Sequence, residues 1–136
     1  MHYNGVVQRK IAMLDDQLLQ IEKHISSLSY EEFKDNWLLK SGAERALQVA
    51  VEIMIDIAER IIALNNAGPA ESAAKAMEKL ESLEIIKSAE PYRSMVKFRN
   101  IIVHEYEEID PQIMWDLLQN RLDDFRAFRD ELDQVK

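Results

Sequence analysis

Apolar side chains along this chain recur at steps of three and four. Val7, Ile11, Leu14, Leu18, Ile21, Ile25 and Leu28 form one series, and Leu39, Ala43, Ala46, Ala50, Met54, Ile57, Ile61 and Leu64 form a second. An α-helix turns once in about 3.6 residues, so each series lies on one face and predicts a long amphipathic helix. Between them, Ser29 and Glu32 have capping-box spacing and predict a short helical turn before Trp37. The run Asn65-Asn66-Ala67-Gly68-Pro69 stops the second long helix. A third, shorter helix fits residues 71–81, with Ala73, Met77 and Leu80 inward. Ser88 caps a fourth, which tolerates Pro91 in its first turn and turns Met95, Phe98 and Ile102 to the core. Asp110-Pro111 opens a fifth, with Met114, Leu117 or Leu118, Leu122, Phe125, Phe128 and Leu132 inward. No stretch alternates with period two between hairpin turns, so no sheet is expected. The expected fold is all-α: an up-and-down bundle of four to five helices, with residues 1–136 forming a single domain.

Composition narrows the chemistry. A chain of 136 residues buries roughly 68% of its unfolded surface and can build its own core. The absence of Cys excludes disulfides, thiolate metal sites, iron–sulfur clusters and a Cys nucleophile. No basic-then-apolar leader opens the sequence and no apolar run approaches the ~18 residues of a membrane span, so a cytoplasmic, membrane-free protein is expected. The formal charge is −8 and the pI about 4.9. A field of that sign opposes wrapping nucleic acid through bulk charge, so any action on RNA has to come from a local site.

One segment offers such a site. Phe98-Arg99-Asn100-Ile101-Ile102-Val103-His104-Glu105-Tyr106 gathers a permanent cation, an amide, an imidazole and a phenol. Asn100 and His104 are four residues apart and share a helical face; Arg99 points about 100° away from Asn100 on a long side chain that can swing back. The planar guanidinium suits a phosphate, and the imidazole gives and takes protons near neutral pH. Together they suit phosphodiester cleavage without a metal. The plainer alternative is a His that complements a helix dipole and a Tyr that packs, and residue types alone favour it. His2 and His24 have no partner motif, and three scattered His make no metal site.

Two stretches resemble a known family. Arg99-x4-His104-x-Tyr106, with polar Asn100 after the Arg, is similar to the motif of the HEPN superfamily, specifically its HepT-like toxins. Glu44-Arg45-Ala46-Leu47-Gln48-Val49-Ala50-Val51-Glu52 is similar to that family's second-helix stretch. The helix order, the Gly68-Pro69 break and the Asp110-Pro111 opening fit as well, so the resemblance covers nearly the whole chain. The third helix departs from it, carrying Ala73, Ala74 and Met77 where relatives often have a Tyr and a Phe.

The resemblance implies a HEPN-like homodimer whose facing motifs form a metal-independent endoribonuclease, the toxin of a toxin–antitoxin pair, with no cofactor. The partner it implies is a minimal nucleotidyltransferase antitoxin that neutralises the toxin by attaching AMP to the motif tyrosine. Carried onto this sequence, Arg99 and His104 are catalytic, Asn100 supports them and Tyr106 is the modification site. The Arg45, Gln48, Glu52 and Asp56 ridge is either an ion-pair ladder or, for Arg45, Glu52 and Asp56, part of the cleft lining, with carboxylates there holding Arg99 or Arg45. Lys87, Arg93 and Lys97 make the fourth helix locally basic and suited to guiding a phosphate. Two other classes compete with the ribonuclease. One is a non-catalytic helical partner that binds the nucleotidyltransferase or a nucleotide through the same residues. The other is a purely structural bundle, with Glu105, Glu107, Glu108 and Asp110 too acidic for RNA.

Overall fold

A computed structural model describes residues 5–104 and 109–134. They form seven helical segments: α1 (Gly5–Ile25), α2 (Tyr30–Lys34), α3 (Trp37–Leu64), α4 (Ala73–Ser82), α5 (Glu90–His104), α6 (Pro111–Asn120) and α7 (Leu122–Asp133). Among the described residues there is no strand, so the all-α expectation holds. The five expected helices are α1, α3, α4, α5 and the α6–α7 pair, with α2 as the short turn.

Local chemistry sets most of the boundaries. The Ser29 hydroxyl accepts from the Glu32 N–H at 3.1 Å and the Glu32 carboxylate accepts from the Ser29 N–H at 3.1 Å, a complete capping box. Asn36 caps α3 and Ser72 caps α4 through their side-chain oxygens, at 2.9 and 3.1 Å. At the far end of α3 the Asn66 and Ala67 N–H groups bond to the Ala63 and Ile62 carbonyls, and Asn66 takes φ 55°. That is a Schellman stop with Asn in the left-handed position. Lys79 on α4 then donates to the carbonyls of Ala67, Gly68 and Pro69 and pins the turn.

The fifth helix was expected to be continuous but breaks at Arg121, which has φ −114° and ψ −3°. Its apolar spacing survives the break, so periodicity could not reveal it. Asp123 and Asp124 in the first turn of α7 favour a new helix start, and the Arg121 guanidinium pairs with Asp124.

The core runs between α1 and α3, where Leu14, Leu18, Ala50, Met54, Ile57 and Ile61 are buried. Each large apolar side chain removed from water there contributes roughly 1.5–3 kcal/mol. Of the positions expected inward, Leu118 is buried and Leu117 half-buried, while Leu28, Leu39, Ala46, Ala73, Phe98 and Ile102 are half-buried and Leu64 is exposed. Helix α5 packs on α3, α4 and α7, and α2 packs on α6 through the rings of Phe33 and Trp115. α7 is tied to α1 by Arg129–Asp15 at 2.6 Å and by Arg126–Glu22.

Candidate functional site on helix α5

The two halves of α5 are built differently. Ser88 starts it by accepting from the Glu90 N–H at 3.2 Å, as the sequence suggested. Its first turns are locked to α7. The Glu131 carboxylate accepts from the Lys87 N–H at 2.9 Å and from the Tyr92 hydroxyl, and the Tyr92 ring meets Phe128 edge-on at 5.1 Å. Burial, reinforced by that carboxylate, holds the Tyr92 phenol well above its ordinary value of 10.0. Tyr92, Met95 and Val96 are all buried.

Arg99 continues this inward face. It follows Tyr92 by seven residues, so the helix brings it round to within about 20° of the same direction. The site is half-buried, and the Arg99 Nε is buried with no hydrogen-bond partner. Arg93, Arg121, Arg126 and Arg129 are also half-buried, and each of those pairs with a carboxylate. Among the described residues Arg99 has no such partner. A cation kept partly out of water favours an anion beside it.

Asn100 and His104 point the other way. Both are exposed, as are Ile101 and Val103, at 40% and 45%. His104 lies about 140° around the helix from Arg99. The structure thus brings Asn100 and His104 onto one face and places Arg99 on another. Tyr106 lies outside the described residues.

The second-helix ridge divides. Asp56 is held by Lys10 of α1 at 3.0 Å and by Arg60, one turn on along α3, at 3.2 Å. Glu52 accepts from the Gln48 amide at 3.0 Å and is half-buried. Arg45 is exposed, and among the described residues neither Glu52 nor Asp56 pairs with Arg45 or Arg99. Near the start of α3, periodicity gave no hint of an apolar groove of about 370 Å³, lined by Ile21, His24, Leu38, Leu39 and Gly42 among others. It arises where small residues of α3 meet α1, a tertiary contact that spacing cannot announce. Among the described residues, no group of three His, Cys, Asp or Glu is placed to hold a metal ion, and no helix is long and apolar enough to cross a membrane.

An all-helical bundle with an Arg-x4-His segment on a partly exposed helix defines a class of ribonuclease-type bundles. The chain belongs to the HepT-like ribonuclease family, whose model matches residues 14–132. It is similar to the mRNA nuclease HepT of Shewanella oneidensis, with 29% identity over 129 residues, covering 93% of this chain and 96% of the relative. It is similar in structure to the tri-AMPylated Shewanella oneidensis HEPN toxin solved in complex with an MNT antitoxin. That match has a TM-score of 0.89 and 27% identity, covering 98% of this chain and all of the other. A toxin–antitoxin structure with AMP-PNP matches with a TM-score of 0.88 and 27% identity, covering 96% of this chain and 99% of the other. Similarity of this extent places the chain among endoribonucleases.

Proposed function

We propose that this chain is the toxin of a toxin–antitoxin pair, an endoribonuclease in which Arg99 and His104 carry the reaction. The observation that carries this reading is Arg99, a half-buried arginine that lacks a carboxylate partner among the described residues and sits inside the family's motif. The ribose 2′-oxygen attacks the adjacent phosphorus, a P–O bond to the 2′-oxygen forms, and the P–O bond to the 5′-oxygen breaks. His104 takes the proton from the 2′-hydroxyl, and the leaving 5′-oxygen receives one. Arg99 meets the negative charge that grows on the equatorial oxygens, and Asn100 helps position the strand. Because the nucleophile belongs to the substrate, no metal-activated water is required.

Two proton transfers call for two proton-handling groups, and the chain supplies one His104. A two-fold homodimer provides the second copy of the motif without further sequence, and the exposed Ile101 and Val103 beside His104 suit burial against it. Sedimentation as a monomer at micromolar concentration would contradict this arrangement. The cognate partner is a minimal nucleotidyltransferase that transfers AMP from ATP to the Tyr106 phenolic oxygen with release of pyrophosphate, consistent with the AMPylated state named for the Shewanella toxin. The added phosphodiester brings about one negative charge to the motif and repels RNA. Tyr106→Phe is expected to keep cleaving RNA and to escape silencing; silencing of that variant with no AMP on the chain would sink the assignment.

The decisive experiment is RNA cleavage by Arg99→Ala and His104→Ala in metal-free buffer. Each is expected to lose about 10²–10³ in rate with helical content intact. Wild-type cleavage by either variant would move the chemistry elsewhere.

A further inference from the structure

The outward face of α5 carries more than Asn100 and His104. Arg93, Lys97, Asn100 and His104 follow one another at steps of four, three and four, and so share that face. The sequence offered Lys87, Arg93 and Lys97 as equivalent basic residues, and the structure makes them unequal. The Arg93 guanidinium pairs with Glu78 at 3.5 Å and with Glu90, so its charge is already balanced. Lys87 precedes α5 and lies more than about 20 Å along the axis from His104. Lys97 is exposed and has no ion pair among the described residues. It stands one turn before Asn100 and about 10 Å along the axis from His104, on the same side.

We propose that Lys97 binds a phosphate of the RNA strand flanking the scissile one and thereby seats the backbone along the outward face of α5. This rests on Arg99 and His104 being the cleavage site. The contact is electrostatic and independent of base identity, and it offsets locally the −8 charge of the chain. Because Lys97 is remote from the reacting atoms, its contribution is equal in ground and transition states. Its loss therefore raises KM and leaves kcat at saturating RNA in place.

The test uses a single-stranded oligonucleotide with 2′-O-methyl riboses, which lacks the nucleophile and reports binding alone, titrated over a range of KCl. Lys97→Gln is expected to weaken binding several-fold at low salt and to flatten the slope of log K against log [KCl] by about 0.7. Lys97→Arg is expected to restore both, and Arg93→Gln to leave the slope alone. A wild-type slope in Lys97→Gln overturns the proposal. A flattened slope accompanied by normal cleavage in His104→Ala would support the backbone contact and overturn the catalytic assignment instead.

Discussion

The first and last turns of α5 belong to one helix yet obey opposite rules. Around Tyr92 the charged and phenolic groups find partners: the phenol reaches Glu131, the same carboxylate receives the Lys87 N–H, and Arg93 pairs with Glu78 and Glu90, although its own Nε is buried without a partner. From Arg99 onward the ion pairs stop among the described residues: the Arg99 guanidinium has no carboxylate partner there, and two apolar side chains and an imidazole face solvent. The difference teaches where the helix stores stability and where it gives it up. The satisfied half holds α5 against α7 in one rotation, and that rotation aims the unsatisfied half.

The largest effect on this contrast is expected from Phe128→Ala. Phe128 is fully buried and supports the Tyr92 ring. Its truncation should cost about 3–5 kcal/mol in a denaturant titration, comparable with much of the stability of a domain this size. A cost under ~1 kcal/mol would mean that α5 is held by something else.

A smaller change is expected from Tyr92→Phe, and it depends on pH. The folded phenol titrates above its ordinary value of 10.0, chiefly because it is buried and then because of Glu131. The unfolded chain therefore releases a proton near pH 10 that the folded chain keeps. Tyr92 stability is fully present below that pH and is lost as pH rises beyond it. Tyr92→Phe should lose about 1 kcal/mol at pH 7 through the missing hydrogen bond. It should then decline less than the wild type between pH 9 and pH 11, and parallel thermal melts in that window check the sign.

The smallest effect lies just before α5. Glu84 closes α4 in a Schellman turn at φ 61°, where a side chain is strained. Glu84→Gly should raise stability by roughly 0.5 kcal/mol, the relieved strain exceeding the added chain entropy. A loss of stability would show that the Glu84 side chain does something the turn does not require.

Much of the bundle was legible because burial follows spacing. Every position of the α1 stripe from Val7 to Ile25 is buried, and the capping residues Ser29, Ser88 and Asp110 act at the starts expected of them. What escaped was not periodic. The break at Arg121 leaves the apolar register unchanged, and the pairing of Arg93 with Glu78 needs α4 and α5 to be side by side. The Arg99 position was half legible. Its spacing from Tyr92 and Met95 places it on the inward face, where an apolar residue is expected. A cation at such a position breaks the local rule, as functional sites tend to. That Arg99 and His104 would fall on different sides of one helix followed from their five-residue separation alone.

The central claim is that Arg99 is kept for chemistry at the expense of stability. Arg99→Met tests it most directly, because methionine fills similar space and asks for no hydrogen bond. Single-turnover RNA cleavage and thermal melting are measured on the same preparation. The account predicts a rate lower by about 10²–10³ with a Tm equal to or above that of the wild type. Retained cleavage, or a Tm lower by more than about 4 °C (roughly 1 kcal/mol for a chain of this size), would contradict it and make Arg99 a structural residue.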